Sequence, residues 1–137
     1  MNRIILLAAL ALSAPAAHAA ADCSNAANQL DMNECAQKAY EAADADLNGV
    51  YKEIETRLYD DAATKKLLIA AEKAWVGFRD AECTFRTSAT ADGSIHPTMV
   101  SMCLEDLTKA RTEQLKTYLK CEEGDVNCPV PSPAKKS

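Results

Sequence analysis

Three pairs of acids sit two residues apart in this chain: Asp44 with Asp46, Glu53 with Glu55, and Asp80 with Glu82. Two carboxylates facing each other across a cleft could serve as acid and base on a glycosidic bond. A helix turns residues two apart onto different faces, so none of these pairs forms a dyad. His96 lies beside Pro97 in a stretch rich in Thr, Ser and Gly, with no nucleophile placed to use it. The six cysteines, Cys23, Cys35, Cys83, Cys103, Cys121 and Cys128, include no CxxC spacing and have no pair of histidines to join them, which argues against a metal site. No glycine-rich loop is available to cradle a phosphate. The sequence therefore predicts no catalytic residue, no cofactor and no metal.

The densest cluster is "AEKAWVGFRDAEC", Ala71 to Cys83, which holds the one tryptophan. On a helix, Trp75 and Arg79 are four apart, so the guanidinium can lie over the indole. Arg79 and Glu82 are three apart and can pair. Tryptophan and arginine are enriched at binding hot spots. They also serve as a core-edge ring with a covering cation. Periodicity favours the second reading, because Trp75 flanks the apolar stripe of its helix.

Three helices are expected to position these groups. Proline and glycine are scarce before residue 92, and alanine and charged residues are common. The first helix should run from about Ala27 to Tyr59. Its stripe is Met32, Ala36, Tyr40, Ala43, Leu47, Val50, Ile54 and Leu58, at steps of three and four. Gly49 interrupts it at a cost of about 1 kcal/mol relative to alanine. Asp60 and Asp61 break the pattern, and an acid there can cap the next helix. The second helix should span Ala63 to Arg86 with Leu67, Ala71, Ala74, Phe78, Ala81 and Phe85 inward. "TSATADGSIHP" reads as a loop. The third helix should start near Pro97 or Thr98 and end near Lys120, with Val100, Cys103, Leu104, Leu107, Arg111, Leu115 and Tyr118 on its inner side. The fold class expected is all-α, a small three-helix bundle.

The first residues read as a leader. Arg3, the apolar run Ile4 to Leu12 and the small-residue site Ala17-His18-Ala19 match a secretory signal peptide, with cleavage expected after Ala19. The run is too short to span a bilayer. Asp22 stands before Cys23, where a lipidation signal needs a small residue. The expectation is a periplasmic or secreted protein with no membrane span after cleavage. Six cysteines in a short exported chain read as three disulfides. There are 15 possible connectivities, and the local set Cys23–Cys35, Cys83–Cys103 and Cys121–Cys128 is preferred. Residues 20–120 would form the helical domain. The remainder, 121–137, would be a disulfide loop and, from about Pro129, a disordered Pro/Lys end.

Without residues 1–19 the chain has 14 Lys+Arg against 20 Asp+Glu, a formal charge of −6. No basic run interleaves with aromatics, so nucleic acid is not expected as a partner. The charge is lopsided. Residues 22–61 hold 10 acids and three bases, while residues 62–137 hold 10 acids and 11 bases. Helix one carries most of the negative field, which suits a solvated face and would also steer a cationic protein.

Three blocks together resemble the lysozyme inhibitor LprI N-terminal domain family. They are "MNECAQKAYEAADADLNGVY" (32–51), "AWVGFRDAEC" (74–83) and "CLEDLTKARTEQL" (103–115). The resemblance implies a small helical, disulfide-bonded envelope protein that binds and inhibits lysozyme without catalysis. Animal-type lysozymes are strongly basic, and an acidic inhibitor complements them. Within the matched blocks Met32, Asn33, Asp46, Leu47, Asn48, Tyr51, Trp75, Phe78, Arg79 and Asp80 are read as scaffold. Trp75 and Phe78 are expected to fill the bundle, and Asp46 or Asn48 to meet Arg79 in a polar network that fixes helix register. Binding is expected at the loop Thr87–Pro97 with Asp92, and at Glu34 and Glu41 on helix one. The alternative is an envelope structural or interaction module with a different protein partner.

Overall fold

A computed structural model describes residues 22–133. The leader expected over residues 1–19 and the last four residues lie outside the described residues. Helix α1 (Gln29–Arg57) begins at Asn28, whose side chain accepts from the backbone N–H of Asp31. Helix α2 (Ala62–Arg86) begins at Asp61, whose side chain accepts from the N–H of Thr64. Hydrogen bonds from Thr64 hold the Asp61 carboxyl below its ordinary value. Helix α3 (His96–Leu119) has Pro97 in its first turn, where a missing N–H costs nothing. All three helices lie within about two residues of their expected bounds, the usual error at helix ends.

The helices run up, down and up. Gln29 donates to Thr98 near one end, and Arg57 donates to the carbonyl of Leu119 near the other, so α1 and α3 are parallel. Helix α2 runs back alongside this pair, with Lys65 beside Glu55 and Arg79 beside Asp44. All three disulfides take the local pairing, Cys23–Cys35, Cys83–Cys103 and Cys121–Cys128.

The bundle has two unlike ends. At the C-terminal ends of α1 and α3 there is an apolar core of Leu47, Ile54, Leu58, Leu115, Cys121 and Val130. Each fully buried aliphatic there contributes about 1.5–3 kcal/mol. At the other end the buried residues are small: Ala36, Ala39 and Ala43 on α1, and Thr98 and Ser101 on α3. Small side chains let the two backbones come close, and polar groups complete the seam. Gln29 donates to Asn33, Thr98 donates to Asn33, and Ser101 donates to Gln37.

Of the three expected inward faces, two are corrected. On α1 the stripe holds, with Ala36, Ala43, Leu47, Ile54 and Leu58 buried. On α3 it is rotated. Cys103 and Leu115 are buried, but their companions are Thr98, Ser101, Thr108 and Thr112 rather than Val100, Leu104 and Leu107. On α2 the stripe faces solvent: Leu67, Phe78 and Phe85 are 70%, 56% and 75% exposed. The Cys83–Cys103 bond explains this. It turns Cys83 inward, and Phe78 and Phe85 then stand about 140–160° round the helix from it, at about 100° per residue. The inward groups of α2 are Leu68, Glu72, Trp75, Arg79 and Cys83.

The chain end also differs from expectation. Val130 is buried against the Ile54–Leu58 core, and Ser132 donates to the carbonyl of Cys121. Residues 129–133 therefore close the apolar end instead of leaving it.

Thr108 is fully buried, and its hydroxyl has no hydrogen-bond partner among the described residues. Thr108→Val keeps the shape and removes the orphaned group, so it should raise unfolding free energy by about 1–2 kcal/mol in urea titration. Gly49 lies on an exposed turn of α1 where an added Cβ meets nothing within 4 Å. Gly49→Ala should stabilise by about 0.5–1 kcal/mol in the same assay.

Candidate functional site

The centre of the matched blocks is Arg79, a buried cation at 7% exposure. Its guanidinium carbon lies 5.2 Å from the Trp75 ring centroid and 5.5 Å from that of Tyr40. The Trp75 contact follows from the i,i+4 spacing; the Tyr40 contact comes from α1. Arg79 Nε donates to Asp80 Oδ1 at 2.9 Å, and Nη2 lies 2.9 Å from the same oxygen. Asp44 Oδ1 stands 3.6 Å from Nη1. Two aromatic faces and two carboxylates thus compensate one buried charge, which alone would be costly. Burial pushes the Tyr40 hydroxyl above its ordinary value of 10, against the downward pull of Arg79.

The partners differ from those expected. The α1 carboxylate on Arg79 is Asp44, in place of Asp46 or Asn48. Asn48 enters through it, since its amide donates to Asp44 Oδ2 at 3.0 Å. Tyr40 and Asp44 are four apart and present one face to α2, and that spacing was the available signal. Asp46 is exposed. The acid of α2 on Arg79 is its neighbour Asp80 rather than Glu82.

The other scaffold residues divide. Leu47 is buried, while Met32, Asn33 and Tyr51 are half-buried, with the Tyr51 hydroxyl donating to Glu55. Trp75 packs partly buried against the core. Phe78 does not fill the bundle.

Beside Arg79 lies an open cleft of about 500 Å³, walled by Tyr40, Asp80, Thr87, Ser88 and His96. Its upper wall is the α2–α3 connection. Thr87 is buried and donates from its hydroxyl to the carbonyl of Cys83. A short 3-10 turn covers Ser88–Thr90. Thr90 donates to the Thr87 carbonyl, and its hydroxyl lies 3.1 Å from His96 Nδ1. Gly93 N–H donates back to the Thr90 carbonyl at 2.8 Å, and Asn33 reaches the Ser94 carbonyl from α1. The loop is thus a pinned structure, and α3 takes over its last two expected residues.

The sequence-chosen acids are all exposed: Glu34 and Glu41 on α1, and Asp92 in the loop. Gln37 donates to Glu41 while accepting from Ser101, which ties that acid's surroundings to α3. The Asn33–Ser94 contact brings the loop against the turn of α1 that carries Glu34. Sequence reasoning missed the Gln29–Asn33–Thr98 seam beneath that turn. Its signal was the steps of three, seven, four and three joining Thr98, Ser101, Thr108 and Thr112 with Leu115, hidden because polar residues do not read as a core. No group of three or more metal-ligating side chains occurs among the described residues. No helix among them is long and apolar enough to cross a membrane.

Residues 19–115 match the family described as lysozyme inhibitor LprI. The chain belongs to the LprI lysozyme inhibitor family. It is 39% identical over 113 residues to an uncharacterized protein, R02472, of Rhizobium meliloti (strain 1021), covering 74% of this chain and 81% of the relative. No solved structure matches. In this LprI-family chain the Arg79 cation is held by partners within the chain, Tyr40, Trp75, Asp44 and Asp80. The three disulfides suit an oxidising compartment outside the cytoplasm.

Arg79→Ala removes a cation held by two rings and two acids, and should cost about 2–4 kcal/mol in chemical denaturation. Arg79→Lys keeps the charge but loses the planar stack, and should recover only part of that loss. An unchanged melting temperature in both variants would remove the register role given to this residue.

Proposed function

We propose that the protein is an exported, non-catalytic inhibitor that binds a basic lysozyme through the acidic face of α1 and the α2–α3 loop. The family match over residues 19–115 carries this reading. Charge supports it: residues 22–61 hold 10 acids and three bases, and such a surface attracts a cationic enzyme and speeds encounter. Glu34, Glu41 and Asp92 are the acids assigned to contact. Their exposure leaves them available, and the pinned loop would lose little conformational freedom on binding. The reading requires no residue to do chemistry. The Arg79 cation is neutralised by Asp80 and Asp44, and His96 shares its Nδ1 with Thr90.

One observation favours a second reading, an envelope interaction module with another protein partner. The exposed apolar face of α2 offers no charge to a basic enzyme.

The test is lysis of a cell-wall suspension by an animal-type lysozyme, followed by turbidity. Added protein should slow clearing near equimolar ratio, and more weakly as salt rises. Reversing Glu34, Glu41 and Asp92 to lysine should raise the inhibition constant at least about tenfold, equivalent to about 1.4 kcal/mol. Unimpeded clearing at a large molar excess would sink the reading for that lysozyme. Clearing by the protein alone would restore an enzyme.

A further inference from the structure

Helix α2 carries a face that the bundle does not use. Leu67, Ala71, Ala74, Phe78, Ala81 and Phe85 follow one another at steps of four and three, the spacing of a helix–helix seam. Every one of them is exposed, as are Ala70, Gly77 and Thr84 along its edge. None of the nine is charged. The seam runs about 27 Å at 1.5 Å per residue. Phe78 and Phe85 alone hold about 260 Å² of uncovered aromatic surface. Monomeric proteins seldom leave contiguous apolar patches of more than a few hundred Å².

We propose that this face is where two copies of the chain meet, as an antiparallel helix pair about a two-fold axis midway between Ala74 and Phe78. The residue sizes fit that symmetry. The axis sets Phe78 over Ala74 of the second copy, Ala71 opposite Ala81, and Leu67 beside Phe85. Each large group meets a small one or shares the seam's end, so the surface complements itself, as an isologous interface must. Gly77 stands on the rim of the face, where an added Cβ would meet nothing of its own chain. The area suits a reversible pair. Leu67, Phe78 and Phe85 together expose about 400 Å² per copy, the size of a weak, transient interface.

Charge selects the occupant. A strongly basic partner gains nothing from an uncharged seam, whereas a second copy brings the same uncharged seam. The net charge of −6 outside the leader makes two copies repel at distance, and salt screens that repulsion. Pairing should therefore strengthen with salt, whereas the proposed lysozyme contact weakens. The pairing does not rest on the lysozyme reading, and the two fail separately.

The experiment is sedimentation equilibrium on the full chain, expressed from residue 1 and purified with its disulfides formed. A reversible dimer is expected, tightening as salt rises. Phe78→Glu and Phe85→Glu should each raise the dissociation constant at least about tenfold, since each buries a carboxylate in the seam. Both side chains are exposed in the single chain, so helical circular dichroism and melting temperature of the monomer should hold. Chains carrying Phe78→Lys mixed with chains carrying Ala74→Glu should pair again, because those positions face each other. A wild-type protein that stays monomeric up to about 500 µM overturns the proposal. So does a dimer indifferent to Phe78→Glu, or a Phe78→Glu variant that loses lysozyme inhibition while its association is unchanged.

Discussion

The rotation of α2 about its own axis decides which surfaces this protein shows, and the Cys83–Cys103 bond sets it. A sulfur bridge between helices has little freedom in direction. With Cys83 turned inward, Arg79 one turn earlier must also face the bundle, and Glu72 and Leu68 follow on the same side. Arg79 then needs compensation, which Tyr40, Trp75, Asp44 and Asp80 provide. Glu72 meets Arg111 of α3. The interface of α2 is therefore ionic and aromatic, and its richest apolar stripe is displaced outward.

The same bond shapes the loop. It joins the last turns of α2 to the early turns of α3, and a connection spanning Thr87 to Ile95 has little slack. Short hydrogen-bonded turns fill it, and Asn33 fastens it to α1. The acids Glu34 and Asp92 lie on segments that meet there. Rigidity at this end comes from crosslinks and polar seams; at the other it comes from packed Ile54, Leu58 and Leu115.

Much of the fold was legible because it rests on local signals. The capping Asp61, the loop "TSATADGSIHP" and the alanine-rich periodicity of α1 each speak within one turn or two. All three disulfides could be paired by proximity alone. Facing was legible only on α1. On α2 two faces competed, and counting apolar residues chose Leu67, Phe78 and Phe85. The winning face was fixed by a covalent bond to another helix, which periodicity does not contain. On α3 the inner side holds Thr98, Ser101, Thr108 and Thr112, whose hydroxyls hide a close helix contact from any hydrophobicity measure. The end of the chain misled in the opposite way: a Pro-rich composition concealed Val130, one buried side chain that fastens the segment. At the candidate site, the Trp75–Arg79 contact was readable from spacing, whereas Asp44 and Tyr40 needed the relative height of α1 and α2.

The disulfides pair the cysteines strictly in chain order, first with second, third with fourth and fifth with sixth, over separations of 12, 20 and 7 residues. The α1–α3 pairing, by contrast, joins residues more than 60 positions apart. A chain entering an oxidising compartment N-terminus first exposes each cysteine and then its native partner before any later competitor. Oxidation in order of emergence gives the native set without reshuffling, so the crosslinks can be complete before the two parallel helices have met.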